Sequence, residues 1–250
     1  MNIYINEESI LHIETLIVGL PEHINQLREI KYNNQSINEQ LETLKQHHII
    51  GSSVGKISST MFYTNNQPKR LLTVGLGNLK DLSYQRLLKV WGHTFQFLKQ
   101  EHINEAEVLL DTFISKYNDS IEVAKTFGLQ SNQSIYQFDN YKSDKKAPYQ
   151  PNIYVQTEFD KVNSAIYEGQ QLGKSINLAR ELSQMPPNIL TPQYFAEEID
   201  NHFKESGVSV HIKDAETLVS EGFGLLHAVG KGSVNGPRLI TMTYNGGKAN

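Results

Sequence analysis

Apolar and polar positions along this chain follow two rhythms, and the longest regular stretch is helical. Val162, Ala165, Ile166, Gly169, Leu172, Gly173, Ile176, Ala179 and Leu182 recur at the spacing of one helix face. Asp160 stands where an N-cap belongs. Pro186-Pro187 removes backbone donors and clashes with the preceding turn, so this helix is expected to end near Gln184. Thr191-Pro192 reads as the N-cap and first position of the next helix. Ala165, Gly169 and Gly173 share a face. Glycine inside a helix costs roughly 1 kcal/mol against alanine, so the stripe implies that another backbone passes close by. Ordinary helix packing explains it, and so does a rod that joins two domains.

Before the rod, extended and helical patterns alternate. Ile3–Ile5 reads as a strand, and the nearly continuous apolar run from Ile13 to Leu20 as a buried central one. Pro21 is expected to open a short amphipathic helix through Ile24, Leu27 and Ile30, followed by a loop at Asn33-Asn34-Gln35-Ser36. Ile37, Leu41 and Leu44 mark a helix, and Val54–Tyr63 a strand rich in β-branched and aromatic residues. Asn65-Asn66-Gln67-Pro68 reads as a turn, leading to a second buried strand, Arg70–Leu76. Leu87, Leu88, Trp91, Phe95 and Leu98 line a long helix. Ala106–Phe113 is expected as a strand, Ile121–Phe127 as a helix and Ile153–Gln156 as a strand. Past the rod come a helix through Tyr194, Phe195, Ile199 and Phe203, a strand at Val208–Ile212, a short helix capped by Asp214, and a strand at Arg238–Tyr244. This order predicts an α/β fold, its N-terminal part a mixed sheet with helices on both faces.

Composition narrows the picture by exclusion. The chain has 250 residues, 38% hydrophobic and 20% charged, as ordinary globular proteins do. A net charge of −4 gives no electrostatic reason to expect nucleic acid or an anionic membrane as partner. There is no cysteine, which excludes disulfides, thiolate metal sites and a cysteine nucleophile. No basic segment followed by an apolar run opens the chain, and no stretch is long enough to span a bilayer. A cytoplasmic location is the expectation.

Chemistry-bearing motifs are sparse. Gly75-Leu76-Gly77 sits between a strand and a helix, where a phosphate loop would be, but Lys80 occupies the position of the third glycine. It is read as a tight turn. His47-His48 are sequence neighbours, no metal-binding histidine spacing occurs, and Gly230-Lys231-Gly232 reads as a solvated loop. In the second half, Glu197, Glu198 and Asp200 fall on the polar side of one helix. Glu205 lies in its last turn, Asp214 caps the next helix with Glu216 beside it, and Glu221 follows. Each has a structural reading, and no residue of the chain is assigned as catalytic, cofactor-binding or metal-ligating.

A resemblance adds what the residues alone do not give. Asn177-Leu178-Ala179-Arg180-Glu181-Leu182 and Met185-Pro186-Pro187-Asn188-Ile189-Leu190-Thr191-Pro192 resemble the domain junction of the leucyl (cytosol) aminopeptidases, a family of metallopeptidases. The run from Glu221 to Ser233 and Pro237-Arg238-Leu239-Ile240 are similar to that family too. Val74-Gly75-Leu76-Gly77 and the run from Tyr136 to Ser143 match weaker motifs of its N-terminal domain. Overall the resemblance is greatest to staphylococcal members. It implies a macro-domain-like N-terminal sheet (residues 1–157), a linking helix with its Pro-Pro junction (158–190) and the start of an α/β catalytic domain (191–250). It implies homo-hexamers, peptide substrates, and two divalent metals, manganese or zinc, that activate the attacking water.

The family's metal-binding lysine, aspartates and glutamate lie in a Val-Gly-Lys-Gly-(Ile/Val)-Thr-(Phe/Tyr)-Asp-Ser-Gly-Gly segment and in later motifs. Lys231 is followed by Ser233-Val234-Asn235 instead and does not correspond. The expectation is therefore an N-terminal portion of such an enzyme, with no metal bound and no activity in residues 1–250 alone. The competing class is a stand-alone macro-like binding or oligomerisation module.

Overall fold

The structure is a computed structural model that describes residues 1–7, 13–26, 29–32, 35–64 and 67–247. It divides into two compact units, Met1–Leu178 and Ala179–Asn250.

In the first unit the elements run β1 (Asn2–Ile5), β2 (Thr15–Pro21), β3 (Lys31–Tyr32), β4 (Gln35–Ser36), α1 (Asn38–Gln46), β5 (Ile57–Thr64), β6 (Gln67–Gly77), α2 (Tyr84–Gln100), β7 (Glu105–Leu109), α3 (Ser120–Gln133), β8 (Asn152–Gln156) and α4 (Val162–Gln184). Among the described residues they build a six-stranded sheet in the order β1-β8-β7-β2-β6-β5. All neighbours are parallel except β5 and β6, which form a hairpin. The sheet is thus mixed, as the alternation of elements predicts.

β2 is buried at every position and sits centrally between β7 and β6. Its side chains divide by parity. Ile17 joins Leu72, Val74, Val108 and Val155 beneath α2, α3 and α4, around Trp91, Phe95, Phe113 and Phe127. Leu16, Val18 and Leu20 face the other way, toward Ile24, Ile30, Tyr32, Ile37 and Leu41. The near-absence of alternation in this run follows from burial on both faces.

The glycine stripe packs against α3. A Cβ on Gly128 would overlap the Ile166 carbonyl oxygen, and one on Gly169 would overlap the Lys125 carbonyl oxygen. The two helices therefore meet backbone to backbone. The boundary between the units falls inside α4, so this one helix carries the chain from the first into the second.

Several boundaries differ from the sequence expectation, each for a tertiary reason. The helix expected from Pro21 is only a 3-10 turn, Ile24–Gln26, and Leu27 lies outside the described residues. Beyond it Tyr32 enters the core, and the backbone pairs as the β3–β4 hairpin, with Ile30 N donating to Asn38 Oδ1 at 2.8 Å. Of the loop expected at 33–36, Asn33 and Asn34 are outside the description and Gln35–Ser36 is β4. Of the turn at 65–68, Asn65 and Asn66 are likewise outside, and Gln67-Pro68 begins β6. The strand expected from Val54 starts at Ile57, because Gly55 (φ 76°) turns the chain just before it.

The strand expected over Ala106–Phe113 breaks at Leu109. There Thr112 Oγ1 donates to the Leu109 carbonyl (2.7 Å) and accepts from Gly19 N (2.7 Å). A side chain thereby replaces the ladder, and Leu110–Phe113 winds into a 3-10 turn. The N-cap position of α4 falls on Lys161 (φ 64°), whose carbonyl accepts from Ala165 N, and not on Asp160.

The second unit contains the end of α4 followed by α5 (Pro192–Phe203), β9 (Val208–Lys213), α6 (Ala215–Ser220), α7 (Gly224–Gly230) and β10 (Leu239–Tyr244). Thr191 caps α5 through Tyr194 N at 3.2 Å, with Pro192 in the first turn, as the sequence predicts. β9 and β10 pair antiparallel as a two-stranded ribbon. Helix α7 was not anticipated, and none of its residues is buried. Ala196, Ile199 and Leu218 are the buried apolar residues of this unit among those described. Each large one contributes roughly 1.5–3 kcal/mol, whereas ordering the chain costs roughly 1.5 kcal/mol per residue. Few large side chains are thus withdrawn from water in this unit among the described residues.

Candidate functional site

The Gly75-Leu76-Gly77 element ends β6, and its backbone is already committed. Gly75 N donates to the Lys56 carbonyl (2.8 Å), and Gly77 N to that of Ser52 (2.7 Å). Gly75 O accepts from Gly55 N, and Gly77 O from Glu22 N, both at 2.8 Å. A Cβ on Gly75 would overlap the Ser53 carbonyl oxygen, and Gly77 adopts φ 66°. Both glycines serve the close approach of the 52–56 loop. The tight turn expected at these residues is instead the end of β6, whose strand runs through Gly77, with both glycine amides bonded to the 52–56 loop.

The carboxylates of the second half each have a local place. Asp214 accepts from Thr217 N at 2.9 Å, and that bond holds its carboxyl below the usual range. Glu221 pairs with Lys213. Glu197 accepts from Gln193 Nε2 at 2.8 Å along α5, where Asp200 is also exposed. Glu205 and Glu216 are exposed, and Glu198 is half-buried. Lys231 follows α7, with its amide donating to the His227 carbonyl at 2.8 Å. His47 and His48 are exposed at the end of α1. Among the described residues, no three side chains of histidine, cysteine, aspartate or glutamate are placed to hold a metal ion together. No described helix is long and apolar enough to cross a membrane.

A buried polar chain lies within the first unit. Lys69 donates to Tyr32 OH (2.7 Å) and to the Ile13 carbonyl (2.6 Å), and Tyr32 OH donates to Glu107 Oε2 (2.8 Å). All three residues are buried. Burial raises the Glu107 carboxyl and lowers the Lys69 ammonium, and each partly offsets the other.

Topology supplies a different kind of site. After β2 the chain moves toward β5 and β6, and after β7 it moves toward β8. β2 and β7 are neighbours, so the strand order reverses between them, and the loops beyond their carboxyl ends diverge. Open α/β sheets bind ligands in that crevice. Here the crevice is a cleft of about 760 Å³, lined from after β2 by Asn25 and Gln26 and from after β7 by residues from Asp111 to Ser120. Leu79 and Phe159, after β6 and β8, complete it. No local motif marks these residues. Only the strand order, which the sequence did not disclose, brings four separate loops together.

Comparison with known proteins follows the same division of the chain. The N-terminal domain of the cytosol aminopeptidase family matches residues 17–145, and the catalytic domain of that family matches residues 177–250. Among solved structures, a mutant of tomato leucine aminopeptidase superposes with a TM-score of 0.77 at 17% identity, over 100% of this chain and 52% of that one. The bottromycin maturation enzyme BotP superposes with a TM-score of 0.72 at 19% identity, over 93% of this chain and 46% of that one. BotP in complex with Mn gives 0.72 at 18% identity, over 93% and 45%. At such identities these likenesses establish the fold, and the chain spans about half the length of the structures it matches. With the family's N-terminal domain matching residues 17–145, more than half of the chain, and its catalytic domain matching residues 177–250, the chain belongs to the cytosol aminopeptidase family.

Proposed function

We propose that this chain is the N-terminal portion of a leucyl aminopeptidase, nearest to staphylococcal members, which removes N-terminal amino acids from peptides. One observation carries the reading. The family's two domains match in series, residues 17–145 and then 177–250, with the α4 rod spanning the interval. In this reading residues 1–157 are the N-terminal domain, 158–190 the linker and 191–250 the opening of the catalytic domain. The whole enzyme works in the cytoplasm as a homo-hexamer, on peptides and not on nucleic acid or membranes.

The family implies two divalent metals, manganese or zinc, which activate water and polarise the scissile carbonyl. The residues described here do not fit such a pair, because no three candidate ligands come together. No catalytic step is therefore assigned to them, and residues 1–250 alone are expected to be inactive.

The test has two arms. The 250-residue chain, dialysed against manganese or zinc, is assayed with a leucine chromogenic amide, and no turnover is expected. Joining the C-terminal half of a relative should restore chelator-sensitive hydrolysis. Chelator-sensitive turnover by residues 1–250 would mean that the site is misplaced. An inert fused protein would remove the aminopeptidase reading.

A further inference from the structure

We propose that the outer edge of β5 is a self-association surface, where a second copy of this chain pairs through its own β5, antiparallel and about a two-fold axis at Met61. β5 (Ile57–Thr64) ends the six-stranded sheet, and no described strand lies beyond it. Its outward backbone groups are therefore a template for another strand.

Proteins ordinarily blunt such an edge with short length, charge, proline or a bulge. The opposite edge, β1, has only four residues. β5 has eight, Ile-Ser-Ser-Thr-Met-Phe-Tyr-Thr, without a charge or a proline. It pairs with β6 residue for residue, from Ile57↔Val74 to Thr64↔Gln67, so no bulge bends it away. Met61 and Tyr63 are 55% and 66% exposed, whereas Phe62 between them is buried. Burial of one face fixes which side chains look outward, and so restricts the registers that an added strand can take.

The missing charge points to a second copy as the occupant. In a two-fold contact the same patch of both molecules meets itself. Any charged group near the axis would face its like, so a charge-free strand is what self-pairing requires. Complementary charge, the usual mark of a contact with a different protein, is absent here. Residues directly opposed in an antiparallel pair share a face, so the axis passes through a residue and not between two. At Met61 it sets that side chain against the partner's Met61, and Tyr63 against the partner's Ser59. The exposed apolar side chains of both copies then form one cluster.

This inference does not depend on the aminopeptidase reading, and its test uses no catalysis. Sedimentation velocity, which resolves a discrete dimer from open-ended aggregates, is run on a dilution series of the 250-residue chain. A monomer–dimer equilibrium is expected. Met61→Lys and Met61→Glu each place like charges on the axis and should weaken the dimer about tenfold or more at unchanged melting temperature. An equimolar mixture of the two variants should restore it, because opposite charges then face each other across the axis. Met242→Lys, on the β9–β10 ribbon, should leave the dimer intact. A monomer at every concentration, a dimer indifferent to both Met61 variants, no recovery in the mixture, or loss of the dimer in Met242→Lys would each overturn the proposal.

Discussion

The Tyr32 hydroxyl donates to Glu107 Oε2 at 2.8 Å and accepts from Lys69 at 2.7 Å, so one neutral side chain bridges two buried charges. Tyr32→Phe keeps the ring and removes the bridge. Both charged groups then lose a partner where water cannot replace it, which costs about 1–3 kcal/mol. Urea denaturation should show a lower midpoint at an unchanged slope, with the loss confined to the first unit.

The same chain predicts a pH dependence. Burial raises the Glu107 carboxyl above its ordinary value of 4.5, so the native state holds that proton more tightly than the unfolded chain does. The resulting stability is fully present below pH 4.5 and is lost as pH rises through the raised native value. Lys69, lowered from 10.5, acts in the opposite sense: its contribution is restored as pH climbs from the lowered value toward 10.5. Glu107→Gln should flatten the decline just above pH 4.5 in a series of urea melts. An unaltered slope would show that Glu107 does not titrate differently on folding.

At the α3–α4 contact two effects of one substitution compete. Alanine favours a helix over glycine by about 0.8–1.0 kcal/mol. At Gly169, however, its Cβ would overlap the Lys125 carbonyl oxygen, so the helices must separate. Overpacking of this kind costs typically 1–3 kcal/mol. The net effect of Gly169→Ala is expected to be destabilising, and a raised melting temperature would contradict the backbone contact.

Hydrogen exchange should divide the chain unevenly. β2 is buried throughout, whereas α7 has no buried residue and exposes Leu225 and Val229 by 88% and 90%. Amides of β2, β6 and β7 are expected to exchange only on global unfolding, and those of α5, β9, α7 and β10 orders of magnitude faster. Equal protection in both units would show that residues 179–250 have a core sufficient on their own.

The elements most legible in the sequence were those with redundant signals. The α4 rod combined a long period with a proline stop, and α5 combined Thr191 with Pro192. β2 combined apolarity with β-branching. The misreadings share a cause in distant partners. Thr112 ends β7 by bonding across to Gly19, and Tyr32 draws its segment into a hairpin because Lys69 and Glu107 await its hydroxyl. Neither partner is local, so no window of sequence contains the reason. Helix α7 was missed although Leu225, Leu226 and Val229 carry a helical spacing, because its flanking glycines suggested a loop. The cleft was illegible for the same reason at larger scale: Asn25, Leu79, Asp111 and Phe159 become neighbours only once the strand order is known.

The β9–β10 ribbon has a consequence for handling the protein in solution. Register places Val208, Val210 and Ile212 opposite Tyr244, Met242 and Ile240, so one face of the ribbon is an apolar grid. Met242 and Tyr244 are 45% and 72% exposed on it. Each strand pairs only with the other among the described residues, which leaves two open backbone edges. Open, apolar edges recruit other strands without regard to their origin. Purified residues 1–250 should therefore behave as a sticky colloid, with light scattering that grows with concentration and time. A particle size measured without dilution would then report encounters between ribbons on top of any specific association of the chain.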